Sequence, residues 1–160
     1  MTTEDYVSFE IAKLLKEKGF KKWCNKCYGT AVCHKGVPIS FDEECELESE
    51  GLGDEIEYIE GGCLYNLGYN NSEEETNLWA APTLWAAIKW LREKGFHIFV
   101  PLEIDYDEDE RGIKWYHDAA YYPDIIRVSD GKTMYDDGSF YASPEQAYEV
   151  AIKYCLENLI

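Results

Sequence analysis

The sequence predicts an α+β fold in which antiparallel hairpins form a sheet covered by three amphipathic helices. Apolar residues recur at helical spacing in three segments and alternate with polar residues in the segments between them. Glycine-containing turns separate the alternating segments. With 160 residues, 46% of them hydrophobic and 15% aromatic, the chain is large enough to bury one core. We therefore expect a single domain over residues 1–160, with candidate halves at 1–70 and 78–160.

The first helix is predicted from about Ser8 to Lys18. Ser8 suits the N-cap position, because its hydroxyl accepts a hydrogen bond from the first helical turn. The apolar stripe of this helix consists of Ile11, Leu14 and Leu15. Gly19 then suits the left-handed residue that ends a helix.

Two further helices are predicted from their start signals. One follows Pro82, with Thr83 as its N-cap, and ends at Gly95. The other begins at Ser143, where a capping-box pattern coincides with Pro144 at the first helical position, and it runs to the chain end. The strands predicted between these two helices would form an antiparallel sheet against them.

Strands are predicted wherever the apolar period changes to two. Residues 98–106 alternate and predict a half-buried strand, with an acidic turn at Asp107–Gly112 and a return strand at Ile113–Ala119. Three further turn signals predict hairpins. These are Asp130-Gly131 between Ile125–Val128 and Thr133–Tyr135, Gly61-Gly62 between Glu55–Glu60 and Cys63–Tyr69, and His34-Lys35-Gly36 between Thr30–Cys33 and Val37–Phe41.

Negative charge dominates the middle of the chain. The formal net charge is −17, and Gly36–Ile88 holds thirteen acidic residues with no Lys or Arg. Such a field repels phosphate backbones and anionic lipids and attracts basic protein surfaces. We therefore expect a protein with a basic surface as partner, and neither nucleic acid nor membrane. The predicted interaction surface is Asp42, Glu43, Glu44, Glu46, Glu48 and Glu50. The alternative reading is that these carboxylates only keep the protein in solution.

A cysteine cluster raises the question of a zinc site. Cys24 and Cys27 form a CxxC pair, and Cys33-His34 follows. Zinc takes four nitrogen or sulfur ligands, so these four residues are the candidate metal ligands, with Cys45 or Cys63 as replacements. A second CxxC pair is missing from the sequence, and buried cysteines also serve as small apolar residues. Zinc is thus the alternative to plain reduced thiols, and no other cofactor is expected.

Targeting and catalytic motifs do not direct the chain to a membrane or to a reaction. No apolar run is long enough to cross a bilayer, and the acidic N-terminal segment does not resemble a signal peptide, so we expect a cytoplasmic protein. Signatures such as the nucleophile elbow, the Walker loop and HExxH are missing. His34, His97 and His117 have no catalytic residues near them in sequence. The sequence therefore favours a non-enzymatic protein, with a small enzyme or nucleotide binder of unfamiliar motif as the alternative. Trp85 and Trp90 fall on different faces of their helix, which leaves one of them for a partner.

Four segments resemble a known group of proteins. They are Tyr6–Phe20, Ala81–Trp85, Lys89–Glu93 and Ala151–Ile160. Together they resemble small uncharacterised proteins that are common in gut Bacteroidetes genomes and in their phages and prophages. The resemblance covers the helices at both ends and the middle one. It implies an accessory or phage-borne protein, and it implies no reaction. Together with the charge, this setting favours a non-enzymatic protein directed at a host factor with a basic surface.

Overall fold

The computed structural model describes residues 5–73, 75, 77–136 and 138–160, and the side chains of residues 116–118 lie outside the description. These residues form helices and antiparallel strands, which confirms the α+β class. In chain order the elements are α1 (Phe9–Glu17), β1 (Lys26–His34), β2 (Val37–Pro38), α2 (Phe41–Ser49), β3 (Ile56–Tyr65), β4 (Leu78–Ala81), α3 (Leu84–Glu93), β5 (Phe96–Phe99), β6 (Leu102–Glu108), β7 (Lys114–Tyr121), β8 (Asp124–Arg127), β9 (Thr133–Tyr135) and α4 (Pro144–Asn158). None of these described helices combines the length and apolar character that a membrane-spanning helix needs.

The chain packs as two compact units rather than around one core. The middle unit falls within Gly19–Ala81, and the terminal unit joins residues 5–18 to the described residues of Pro82–Ile160. The sequence predicted a single domain, with its candidate boundary in the loop after residue 70. In the structure α1 belongs to the terminal unit, because its apolar stripe packs against α4.

Three helices make the core of the terminal unit. α4 packs against both α1 and α3, and both α3 and α4 pack against β5. The largest buried aliphatic side chains of this core are Ile11, Leu15, Leu91, Ile152 and Leu156. β5, β8 and β9 form an antiparallel sheet in that order, and β6 and β7 form a separate two-stranded ribbon.

The helix starts of the terminal unit match the prediction. Ser8, Thr83 and Ser143 each accept a hydrogen bond from the backbone N–H three residues further on. Gly19 and Gly95 have φ values of 85° and 101°, which a side chain would strain. The β6–β7 and β8–β9 hairpins also form at the predicted turns.

The predicted strand over residues 98–106 is wrong as a single half-buried element. β5 pairs with β8 and ends at Phe99, whereas β6 pairs with β7 and begins at Leu102. Pro101 lies between them, and its missing N–H is unsuited to a continuous ladder. Every residue of β6 is exposed.

β1 is the central strand of the middle unit. It pairs with β2 and β4 on one edge and with β3 on the other. The β1–β2 hairpin turns at Lys35 and Gly36, whose φ values of 51° and 77° fit the tight turn predicted there. The hairpin predicted at Gly61-Gly62 is wrong, because β3 runs past both glycines and stays paired with β1. Gly61, with φ of 67°, lies in the register shift opposite Gly29 and Ala31 instead of in a turn.

α2 is an element that the periodicity did not predict. The strand predicted over Val37–Phe41 ends at Pro38, and a capping box then starts a helix. The hydroxyl of Ser40 accepts from the N–H of Glu43 (3.3 Å), and the Glu43 carboxylate accepts from the N–H of Ser40 (2.8 Å). No residue of α2 is buried, so caps and side-chain contacts rather than an apolar stripe hold it in place.

Candidate functional site

The structure brings the six predicted surface carboxylates together on α2. Five of the six acids lie within the helix, and the sixth, Glu50, is its C-cap. Glu44 is half-buried and the other five are exposed. The helix has acidic residues in its first turn and no base in its last turn. The negative side chains near its start stabilise the helix dipole, whereas those near its end oppose it.

A groove runs along one side of this helix. We call it the acidic groove; its volume is about 200 Å³, and its lining consists of His34, Ile39, Glu43, Glu46, Leu47 and Glu50. The three carboxylates recur at steps of three and four residues, so they share one helix face. Ile39 and Leu47 add apolar surface to the same groove. The result is a narrow surface that combines three negative charges with aliphatic side chains.

A residue of α2 that does not line the groove contacts β3. The hydroxyl of Tyr58 donates a hydrogen bond of 2.6 Å to Oε1 of Glu44. This bond, together with burial and the charges of Glu44 and Glu48, raises the pKa of Tyr58 above its usual value. The phenol therefore keeps its proton and remains a donor to the helix at neutral pH.

The carboxylates of α2 are not neutralised by bases. Within the described residues, none of the six forms an ion pair. Lys35 and His34 instead contact Glu55, at 3.7 Å and 3.0 Å. The hydrogen bond from His34 and the charge of Lys35 lower the pKa of Glu55. His34 and Lys35, the basic residues that precede α2 in the sequence, thus contact Glu55 and not the carboxylates of α2.

Exposed apolar side chains accompany the negative charge in the middle unit. Phe41, at the start of α2, is 76% exposed, Val37 is 62% exposed and Tyr58 is 59% exposed. Aromatic side chains are enriched at protein interfaces relative to the rest of a protein surface.

The four predicted zinc ligands do not converge. Cys27 and Cys33 lie six residues apart on the buried face of β1, which puts them about 20 Å apart along the strand. His34 points to the other face and contacts Glu55, and Cys24 lies before the strand, paired with Tyr69. Burial raises the pKa of Cys24 to about 11, which disfavours the thiolate that zinc binds. In the described part of the chain, no three His, Cys, Asp or Glu side chains are grouped for a metal.

The histidines and tryptophans that the sequence singled out do not form a common site among the described residues. His97 accepts a hydrogen bond at Nδ1 from Nε of Arg92 (3.1 Å), and the side chain of His117 is outside the description. Trp85 is 64% exposed whereas Trp90 is 5% exposed, as their positions on the helix indicated. The sequence missed Ile39 and Leu47 as site residues, and the Ser40-x-x-Glu43 capping signal was the pattern that could have placed them beside a helix.

Comparison of the chain with models of protein families, with curated proteins and with solved structures gives no match.

Proposed function

We propose that this protein binds a partner protein through the acidic groove, which receives a lysine or arginine side chain from a basic surface of the partner. The observation that carries the proposal is that Glu43, Glu46 and Glu50 line one groove without a base paired to any of them among the described residues.

The chemistry of the groove suits a long basic side chain. Lysine and arginine have apolar stems that pack on aliphatic surface while the charged head stays near water or a carboxylate. Ile39 and Leu47 offer that surface, and Glu46 and Glu50 offer acceptors. Glu43 is fixed by its bond to the backbone N–H of Ser40, which also lowers its pKa, so it stays ionised.

The charge of the middle unit supports the same partner class. Its residues include thirteen carboxylates and four lysines. A field of one sign raises the association rate with an oppositely charged surface, and salt weakens that effect. Phe41, exposed at the start of α2, would supply apolar contact to the same partner.

The resemblance to phage and prophage proteins supports a host protein as the partner. On this proposal the protein acts without catalysis, by occupying a basic surface that the host protein uses elsewhere. The predicted zinc module and the enzyme reading receive no support from a described cluster of residues.

The test is affinity capture from a lysate of the source organism, at low and high salt, with three forms of the protein. The first is the wild type, and the second is the groove variant Glu46→Gln/Glu50→Gln. The third is Glu103→Gln/Asp107→Asn, which removes the same charge from exposed positions on β6. We expect the wild type and the β6 variant to retain the same basic proteins at low salt, and the groove variant to retain at least tenfold less.

Both variants have the same net charge, so a general effect of charge would weaken them equally. Equal loss in the two variants would contradict a specific groove, and unchanged capture by the groove variant would contradict the proposal outright. Circular dichroism of each variant controls for folding. We expect α2 to stay folded in the groove variant, because Glu46 and Glu50 take no part in its capping box.

A further inference from the structure

A second surface depression lies in the terminal unit, apart from the acidic groove. It is a cleft of about 340 Å³ between the segment before α1, the start of α3 and the first turns of α4. Its apolar walls are formed by Leu84, Trp85, Ile88 and Tyr148. This volume falls within the range of small-molecule sites, about 300–1,000 Å³, and aromatic walls are typical of them.

The charged groups of the cleft all have one sign. The side chains of Asp5 and Glu145 line it, and neither Lys nor Arg does. Both carboxylates are exposed to solvent. A ligand with a positive group would meet two acceptors there.

Several backbone N–H groups at the helix starts beside the cleft already have partners. An anion would bind free backbone N–H groups at a helix N-terminus. The N–H of Leu84 already donates to the carbonyl of Asp5 (2.9 Å), and the N–H of Ala86 donates to Thr83 Oγ1 (3.2 Å). In α4 the first residue is Pro144, which has no N–H, and the N–H of Gln146 donates to Ser143 Oγ (3.2 Å).

Hydrogen bonds hold the elements that border the cleft. The N–H of Val7 donates to the carbonyl of Pro82 (3.0 Å), next to the start of α3. The N–H of Ser8 donates to Oε1 of Glu149 on α4 (2.9 Å). These bonds fix the segment before α1 against both helices, so the cleft exists before a ligand arrives. A site formed in advance loses less affinity to ordering.

The aromatic ring of Trp85 already contacts one cation. The guanidinium carbon of Arg92 lies 5.8 Å from the centroid of the Trp85 ring, within the range of a cation–π contact. The same ring lines the cleft and is 64% exposed. An aromatic wall next to two carboxylates is the combination that recognises substituted ammonium groups.

We propose that this cleft binds a small organic cation, with its ammonium group between Asp5 and Glu145 and its apolar body against Trp85 and Tyr148. The ammonium group can belong to a free amine or to a lysine side chain. The proposal is independent of the acidic groove, because no residue of one site lines the other.

The experiment is a titration of ¹⁵N-labelled protein with benzyltrimethylammonium, followed by the indole N–H signal of Trp85, which is assigned with Trp85→Phe. We expect a saturable shift with a dissociation constant on the order of 1 mM or below. The double variant Asp5→Asn/Glu145→Gln should weaken binding at least tenfold. Glu17→Gln/Glu157→Gln removes the same charge from exposed positions on α1 and α4 outside the cleft, and as the matched control it should bind like the wild type.

Benzyl alcohol and benzoate test the role of the positive charge, and N-acetyl-lysine methylamide tests the source. Binding of the lysine derivative as well as the aromatic ammonium would extend the site to protein side chains, and binding of the ammonium alone would assign it to free organic cations. The proposal is overturned if no probe gives a saturable shift, if benzyl alcohol or benzoate binds equally well, or if the Asp5→Asn/Glu145→Gln variant binds like the Glu17→Gln/Glu157→Gln control.

Discussion

The hydroxyl of Tyr58 on β3 donates a 2.6 Å hydrogen bond to the carboxylate of Glu44 on α2. This bond connects the acidic helix to the sheet through a residue that does not line the acidic groove. Because α2 buries no side chain, a single polar contact contributes much of what holds the helix against the sheet. The orientation of the groove carboxylates therefore depends on a tyrosine in a neighbouring strand.

Tyr58→Phe should loosen α2 without unfolding the middle unit. Loss of the hydroxyl removes one hydrogen bond, and we expect amide exchange across Phe41–Ser49 to become roughly twofold to tenfold faster. Hydrogen exchange followed by mass spectrometry measures this. Tyr65→Phe is the matched control, since the Tyr65 hydroxyl donates to the carbonyl of Thr30 and not to α2. Equal acceleration in the two variants would contradict the role given to the Tyr58–Glu44 bond.

Leu91→Ala should destabilise the terminal unit by about 2–5 kcal/mol, because Leu91 is fully buried and its loss leaves a cavity. Urea denaturation followed by circular dichroism measures the free energy of unfolding. Lys89→Ala, at an exposed position of the same helix, should change it by less than about 0.5 kcal/mol. A small effect of Leu91→Ala would show that α3 does not pack as described.

The cysteines should differ sharply in reactivity. Cys45 is exposed on α2, whereas burial raises the pKa of Cys24 to about 11 and that of Cys155 to about 12. At about pH 8, roughly one molecule in a thousand carries a Cys24 thiolate, so iodoacetamide should modify Cys45 first. Peptide mass mapping of a time course identifies the modified residue, and Cys45→Ser should remove the fast phase. Modification of Cys155 at the rate of Cys45 in native protein would contradict its burial in α4.

Asp130→Asn should make the β8–β9 turn less stable in a pH-dependent way. The Asp130 carboxylate accepts hydrogen bonds from the guanidinium of Arg127 and from the backbone N–H of Lys132. The bond from Arg127 is the main cause that lowers the pKa of Asp130 to about 2. A pKa depressed in the folded state gives stability above about pH 4 that disappears as the pH falls towards 2. We expect the variant to melt below the wild type at pH 6, and the difference to shrink between pH 4 and pH 2. A difference that is constant over that range would exclude the charged pair as its cause.

The elements that the sequence predicted are those with local signals. Ser8, Thr83 and Ser143 are N-caps of helices that also contain buried apolar residues. Asp130-Gly131 favours a hairpin turn through its own backbone preference. α2 has no apolar stripe, so periodicity could not indicate it. The two glycines of β3 suit a turn and a bulge equally well, and only pairing with β1 decides between them.

The candidate sites depend on which side chains lie on the same face of an element. The sequence predicted this for some of the residues and not for others. The six acids of residues 42–50 are close in sequence, so any local structure keeps them together. Cys27 and Cys33 are also close in sequence, but an extended strand separates them by its length. The aliphatic residues of the acidic groove and the walls of the terminal cleft come from separate elements, and no local pattern brings them together.

A chemical-shift titration of ¹⁵N-labelled protein with a short peptide of alternating arginine and serine tests whether the acidic groove is the docking surface. The β6–β7 ribbon is also acidic and serves as an internal competitor, but it has Arg111 and Lys114 beside its carboxylates. We predict salt-sensitive, saturable shifts concentrated in His34, Ile39 and the residues of α2. Shifts spread evenly over both acidic regions, or concentrated in the ribbon, would contradict a specific basic-side-chain site in the groove.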